Sequence, residues 1–322
     1  MSTKKIYVAG HKGMVGSAIC RQLSNKKDIE LITANKENLD LISQTSVEDF
    51  LREKNPDIVI IAAAKVGGIN SNNTYPAQFI YENLQIQNNL IHFSHASNIQ
   101  KLLFLGSSCI YPKFAKQPMS EDALLSGKLE STNEPYAIAK IAGIKMCESY
   151  NRQYQRDYRS IMPTNLYGPG DNFHPMNSHV LPALLKRFHE AKKSKDKKVK
   201  VWGTGLPKRE FLHVDDMASA SIFVMNLSKS EYEKKISPMC SHINIGSGQD
   251  VSIIDLAKMI KEVVGFKGKI IFDTSKPDGS PQKLMDISIL KNLGWRENFD
   301  LLRGIKDTYT WFLENENNLR SV

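Results

Sequence analysis

No stretch of this chain approaches the roughly 18 consecutive apolar residues that a membrane-spanning helix needs, so a span is excluded. The apolar run after Met1-Ser2-Thr3-Lys4-Lys5 is too short for a signal peptide, and glycines stand where a cleavage site would have to be. A soluble, cytoplasmic protein without membrane contact is expected. Cysteine is scarce, with only Cys20, Cys109, Cys147 and Cys240. None forms a Cys-x-x-Cys pair, so neither a zinc site nor a thioredoxin-type motif is indicated, and no metal is expected. Cys20 and Cys147 fall in apolar helical patterns and read as buried packing residues, and Cys240 reads as a loop residue. Internal repeats and low-complexity tails are also missing. What remains is 322 residues with 41% hydrophobic content, enough for one large α/β domain with a smaller companion.

The net charge of +9 is uneven. Between Lys186 and Lys200 stand eight basic residues and two acidic ones, Glu190 and Asp196. The stretch from Lys192 to Lys200 reads as a solvated helix end and loop. No aromatic residues are interleaved with it and no binding motif accompanies it, so nucleic acid is not an expected partner.

Lys5 to Ala9 reads as a strand, Gly10-His11-Lys12-Gly13-Met14-Val15-Gly16 as a glycine turn, and the residues through Ile19 and Leu23 as a helix. Ile29 to Thr33 predicts a second strand and Val47 to Leu51 a short helix. Ile58 to Ala64 is a continuous apolar run of the kind found in a parallel strand buried on both faces. Long helices are predicted from about 77 to 97 and 135 to 154, with strands at Leu102 to Leu105 and Arg159 to Met162. This alternation predicts a doubly wound parallel sheet of the Rossmann type. After Tyr167-Gly168-Pro169-Gly170 the pattern loosens into short strands, such as Val199 to Trp202 and Lys269 to Phe272. The expected division is a dinucleotide-binding domain over 1–166, with returning segments at about 211–230 and 242–247. A smaller mixed α/β substrate domain would take 167–210 and 248–322.

Strand, glycine turn and helix in that order are what a dinucleotide site requires. The spacing Gly10-x-x-Gly13-x-x-Gly16 departs from the commoner G-x-G-x-x-G. The turn lets backbone approach a pyrophosphate, and the helix starting near Met14 offers it free N–H groups and a positive dipole end. After the second strand an NAD site usually carries an acidic residue for the ribose 2′-hydroxyl. This chain has Ala34-Asn35-Lys36 there, so Lys36 and Lys12 can neutralise a 2′-phosphate. NADP(H) is therefore expected, with Asp40 and Leu41 near the adenine.

Ser107 ends the fourth strand. Tyr136 and Lys140 lie one turn apart on a helix, so phenol and amine project from the same face. An ammonium beside a phenol eases its ionisation, which suits proton transfer at a carbonyl. The glycine turn, Ser107 and Tyr136-x-x-x-Lys140 together resemble the extended short-chain dehydrogenase/reductase family. The resemblance implies that Ser107 polarises a carbonyl and Tyr136 passes the proton, while Lys140 holds the nicotinamide ribose and lowers the tyrosine pKa. It also implies cofactor contacts from Leu105, Gly106, Ser107 and Ser108, from Pro163-Thr164-Asn165-Leu166, and from Lys140 and His179.

A narrower resemblance rests on longer motifs. These are Gly106-Ser107-Ser108-Cys109-Ile110-Tyr111-Pro112, the run from Met162 through Asp171-Asn172-Phe173-His174-Pro175, and Asn177-Ser178-His179-Val180. Trp202 to Gly205, Arg209-Glu210-Phe211, His213-Val214-Asp215-Asp216 and Ser275-Lys276-Pro277-Asp278-Gly279 extend it over nearly the whole chain. They are similar to the branch of the family that epimerises and reduces GDP-4-keto sugars. A 4-keto group acidifies the C–H bonds at C3 and C5, and a base and an acid on opposite faces can invert each centre through an enolate. Thiol and imidazole both have reference pKa values within about two units of neutrality, so such exchange is feasible. The resemblance implies that Cys109 is the base and His179 the acid. The implied reaction is NADPH-dependent 3,5-epimerisation and C4 reduction of GDP-4-keto-6-deoxy-D-mannose. It further implies substrate contacts at Ser108, Cys109, Asn165, Arg187, Trp202, Arg209, Asp278 and Lys283. Guanidinium forks are suited to the diphosphate.

Other readings stay open at this stage. A relative of the same scaffold can act on a GDP-4-keto-heptose, with or without epimerisation. A 4-epimerase with tightly held NAD is opposed by Ala34-Asn35-Lys36, and a non-catalytic dinucleotide-binding scaffold by the retained Tyr136 and Lys140. The two long helices are expected to pair across a two-fold axis in a homodimer, as in relatives.

Overall fold

The alternating apolar segments build one parallel sheet. The computed structural model describes residues 3–174, 178–276 and 278–319. Met1, Ser2 and the motif residues Pro175, Asn177 and Pro277 lie outside the described residues. The chain opens with β1 (Lys4–Ala9), α1 (Met14–Ser24), β2 (Ile29–Ile32), α2 (Gln44–Lys54) and β3 (Ile58–Ile61). It continues with α3 (Ile69–Thr74), α4 (Pro76–Ala96), β4 (Lys101–Leu105), α5 (Glu134–Tyr154) and β5 (Asp157–Pro163). Next come β6 (Asn165–Tyr167), α6 (Val180–Lys193), β7 (Lys198–Trp202), β8 (Lys208–His213), α7 (Val214–Asn226) and α8 (Lys229–Glu233). The last elements are β9 (His242–Ile245), β10 (Asp250–Ser252), α9 (Ile253–Val264), β11 (Lys269–Asp273), β12 (Gln282–Lys283), α10 (Ser288–Asn292) and α11 (Leu301–Glu314).

The main sheet runs β2-β1-β3-β4-β5-β9, with every pairing parallel. β3 is Ile-Val-Ile-Ile and wholly buried, because helices cover both faces. Its period of two divides the core. Ile58 and Ile60 join Ile6, Val8 and Leu103 against α1 and α7. Val59 and Ile61 join Tyr7, Ala9 and Phe104 against α4 and α5. Each fully buried Ile or Leu contributes about 1.5–3 kcal/mol, so a one-residue slip of register would forfeit both layers.

Strand order reverses at β1, which places a crevice at the carboxyl ends of β1 and β3. Gly10, Gly106 and Thr164 follow β1, β4 and β5 on that same edge. Two late segments return to this layer. β9 pairs with β5, and α7 packs on α1, where Gln22 donates to the Asp215 carbonyl at 2.7 Å.

The remaining strands form β10-β8-β12 with β6 also on β8, and a parallel β7–β11 ribbon. Their core is separate, with Leu184, Leu185 and Phe188 of α6 meeting Leu256 and Ile260 of α9 and Phe312 of α11. The lysine-rich stretch holds the expected exposed helix end and loop, but its last residues form a strand. α6 persists to Lys193, β7 begins at Lys198, and Lys192 donates to the Val264 carbonyl at 2.8 Å. Cys147 is buried as expected, Cys20 only half-buried, and Cys240 is half-buried in a loop. Among the described residues no helix is long and apolar enough to cross a membrane.

Candidate active site

The glycine turn is dictated by close approach. Gly10 has φ +86°, and a Cβ there would lie 2.6 Å from the Ala63 backbone nitrogen. A Cβ at Gly16 would lie 2.2 Å from the Gly10 carbonyl oxygen, which itself accepts the Gly13 N–H at 2.8 Å. No side chain caps α1, and its first turn, Met14, Val15 and Gly16, carries no acidic residue. The positive end of the helix is therefore bare, as a pyrophosphate requires. His11 is half-buried, and Lys12 and Lys36 are exposed. Asp40 accepts from the Ile42 N–H at 3.0 Å, and the Leu41 carbonyl accepts from Asn89 of α4 at 2.9 Å. These residues fit a dinucleotide with a 2′-phosphate.

Beyond β4, Leu105 and Gly106 are buried, and a side chain at Gly106 would collide with Met162. Ser107 and Ser108 are half-buried, and the Ser107 hydroxyl accepts from the Cys109 N–H at 3.5 Å. Tyr136 and Lys140 do share a face of α5. Burial pushes the Tyr136 phenol well above its ordinary range, the Cys109 thiol pushes it further, and a hydrogen bond with Ser107 pulls it back. Lys140 is not among these causes. Its ammonium is buried, donates to the Leu105 carbonyl at 2.8 Å, and lies 4.8 Å from the Phe104 ring and 5.9 Å from the Tyr136 ring. The expected easing of Tyr136 ionisation by Lys140 is thus outweighed by desolvation. Burial also brings Lys140 itself down to about 8, with the Cys109 charge opposing.

Cys109 is buried in the single 3₁₀ turn Ser108–Ile110 that follows Ser107, and its thiol is pushed up by burial and drawn back by Ser107, Lys283 and Lys140. His179 occupies the N-cap of α6 without making a side-chain cap bond. Its residue surface is exposed, yet protein surrounds the imidazole closely enough that burial lowers its pKa, and Lys283 lowers it further. Lys283 is therefore the common neighbour of thiol and imidazole. Its own ammonium is disfavoured first by burial, favoured by Cys109 and Glu130, and disfavoured by Arg209. The β12–β8 register sets Lys283 opposite Arg209.

Asp278 acts on the half-buried Arg209 guanidinium, whose Nη1 donates to the Lys208 carbonyl at 2.7 Å. Asp278 is itself engaged, accepting from the Thr204 N–H and hydroxyl, each at 2.7 Å. Arg187 and Trp202 form a second cluster. The guanidinium lies 5.5 Å from the indole ring and donates to the Lys200 carbonyl at 2.7 Å, while Lys276 lies 5.8 Å from the same ring. Trp202 itself is 51% exposed. Pro163, the last residue of β5, and Thr164 are buried, Leu166 is half-buried, and Asn165 donates to the Glu210 carbonyl at 2.9 Å. Two recesses near Gln22, Lys26, Ile222 and Asn226 hold none of these residues.

Residues 6–246 match the NAD dependent epimerase/dehydratase family. The chain belongs to that family. This family member is 59% identical over 320 residues to the GDP-L-fucose synthase of Escherichia coli (strain K12), across 99% of this chain and 100% of that one. It is similar to the solved structure of a GDP-6-OMe-4-keto-L-xylo-heptose reductase from C. jejuni, at 40% identity and TM-score 0.90, covering 98% and 99% of the two chains. It is also similar to a GDP-L-fucose synthetase from Naegleria fowleri bound to NADP, at 26% identity and TM-score 0.89, covering 100% and 97%.

Sequence reasoning missed the groups beneath this family member's Tyr-Lys pair. Phe104 lies under Lys140, and Phe79 meets Tyr136 edge-on at 6.3 Å. One signal was available, a glycine inside α5. A Cβ at Gly143 would lie 2.4 Å from Phe104 Cζ, so the glycine makes room for the ring.

Proposed function

We propose that this chain converts GDP-4-keto-6-deoxy-D-mannose to GDP-L-fucose by NADPH-dependent 3,5-epimerisation and C4 reduction. The observation that carries the reading is that Lys283 acts on both Cys109 and His179, with Ser107 and Tyr136 beside Cys109. The 59% identity to a GDP-L-fucose synthase supports it.

In this reading Cys109, as thiolate, removes the proton from C3 or C5, and the electron pair moves onto the C4 oxygen. Ser107 and Tyr136 stabilise that oxygen by hydrogen bonding. His179, as imidazolium, returns a proton to carbon from the opposite face, and both groups exchange protons with solvent before the second centre is inverted. Lys283 makes the thiolate more accessible and the imidazolium a stronger acid. NADPH, when bound, supplies the hydride for C4. Because burial holds its phenol up, Tyr136 keeps its proton at neutral pH and gives it to the C4 oxygen. Lys140 orients the nicotinamide ribose.

Gly10 to Gly16, Lys36, Asp40 and Leu41 hold the pyrophosphate, 2′-phosphate and adenosine. Leu105 to Ser108, Lys140, Pro163 to Leu166 and His179 line the nicotinamide end. Arg187, Arg209 and Lys283 take the diphosphate, Trp202 and Asp278 the nucleoside, and Ser108, Cys109 and Asn165 the sugar. The dinucleotide half corresponds to 1–166 with the returning segments, the GDP-sugar half to 167–210 and 248–322. Two copies pair through α4 and α5, where Tyr81 and Ile138 are exposed. Four free cysteines suit a reducing cytoplasm.

The test is a product assay with NADPH and GDP-4-keto-6-deoxy-mannose beside the corresponding heptose, read by NMR at C3, C4 and C5. Inversion at C3 and C5 with reduction at C4 of the deoxyhexose is expected. Turnover of the heptose alone, or retained configuration at both carbons, would overturn the reading. A strong preference for NADH would overturn the cofactor assignment, and a stable monomer in sedimentation at micromolar concentration the pairing.

A further inference from the structure

Three strands and a turn meet at β8, and one of its side chains ties their ends together. Glu210 is fully buried. Its Oε1 accepts from the Gly248 N–H at 2.7 Å and the Ser247 hydroxyl at 3.5 Å, and its Oε2 accepts from the Met285 N–H at 2.9 Å. The two oxygens thus hold backbone from the turn after β9 and from the segment after β12. The fit is tight, since a Cβ at Gly246 would lie 2.2 Å from Oε1. The Glu210 main chain serves the other side, its carbonyl accepting from Asn165 Nδ2 at 2.9 Å and the Thr164 hydroxyl at 3.4 Å.

The bond to Met285 matters because β12 has only two residues, Gln282 and Lys283. Its pairing to β8 sets Lys283 opposite Arg209. Arg209 immediately precedes Glu210, and Lys283 lies two residues before Met285. One buried carboxylate therefore stands next in sequence to one cation and clamps the segment that carries the other.

We infer that Glu210 is a positioning residue for the GDP-sugar, fixing Arg209 and Lys283 at the spacing a diphosphate needs. The inference rests on the reading of those two cations as diphosphate ligands. Neither carboxylate oxygen is spare. In Glu210→Gln the shape persists, but the amide NH2 must face a buried N–H that has lost its acceptor. The carboxylate also meets the Thr164 hydroxyl, a contact that the glutamine amide oxygen can keep, and the main-chain bonds to Thr164 and Asn165 survive, so the dinucleotide side changes far less than the β12 side.

The experiment measures KM for the GDP-sugar and for NADPH in Glu210→Gln, Gly246→Ala and Arg209→Ala, with thermal melts of each. Glu210→Gln should raise KM for the GDP-sugar about tenfold or more, while KM for NADPH stays within about twofold. Gly246→Ala displaces the same carboxylate by contact and should give the same split, which keeps the inference testable if Glu210→Gln folds poorly. Equal effects on both substrates, or none, with Arg209→Ala still raising KM for the sugar nucleotide, would overturn the role of Glu210. No effect of Arg209→Ala on that KM would overturn the reading of the cations, and the inference with it.

Discussion

The Lys140 ammonium donates to the Leu105 carbonyl across 2.8 Å, joining α5 to the end of β4 directly before Gly106 and Ser107. Helix and strand end are thereby held at one spacing, and a cation is left with little water around it.

That burial has a consequence for pH. Lys140 is lowered from 10.5 to about 8, so its charge is present below that pH and lost above it. If the ammonium holds the nicotinamide ribose, kcat/KM for NADPH, which reports the free enzyme, should fall as pH rises through about 8. In Lys140→Arg the guanidinium does not titrate, so this alkaline limb should disappear even though overall activity drops. Profiles of the two proteins at limiting NADPH decide the matter, and an unchanged limb in the arginine variant removes Lys140 as its source.

Cys109 is assigned to carbon deprotonation and Tyr136 to oxygen protonation, so the two steps should separate. Cys109→Ser should slow solvent deuterium exchange at C3 and C5 by about a hundredfold or more, the scale of a lost general base. Full exchange in the variant, measured by NMR, would show that another group is the base.

Gly143 faces Phe104, and a methyl there would meet the ring at 2.4 Å. Overpacking of this kind costs about 1–3 kcal/mol. Gly143→Ala should lose that much in denaturant unfolding, and it should also lose reductase activity because Phe104 carries Lys140. A fully active, destabilised variant would separate the packing role from the catalytic one.

Glu121 lies outside the site, accepts from the Asn244 N–H at 2.9 Å, and is raised by burial to about 7. The folded state therefore holds a proton that the unfolded chain releases above about 4.5. Stability from this group is complete at low pH and is lost as pH rises through about 7. Glu121→Gln keeps an acceptor and cannot ionise. Relative to the parent it should gain about 1–3 kcal/mol between pH 5 and pH 8. Urea unfolding at both pH values checks this, and a constant difference between the proteins would rule it out.

Much of the fold was legible because each element carries its own period. The expected helix ends at about 77–97 and 135–154 lie within a residue of α4 and α5. Ile58 to Ile61 is a strand because both of its faces are apolar and covered. The region after Tyr167 was harder to read. β10, β12 and β6 have two or three residues each and exist only through pairing with β8. Length and local preference carry no signal in such short pieces. Lys283 sits in such a piece, and it proves to be the neighbour shared by Cys109, His179 and Arg209.

What the sequence by itself determined is the local machinery. The glycine turn, the Tyr-x-x-x-Lys face and the strand-end serine each follow from spacings of a few residues. Only the tertiary structure decided the charge states and the company these groups keep. Desolvation depends on what packs above a side chain, and the field at Cys109 depends on Lys283, which a two-residue strand brings to it from the far end of the chain. Burial therefore holds the Tyr136 phenol up, where the spacing to Lys140 had suggested an easier ionisation.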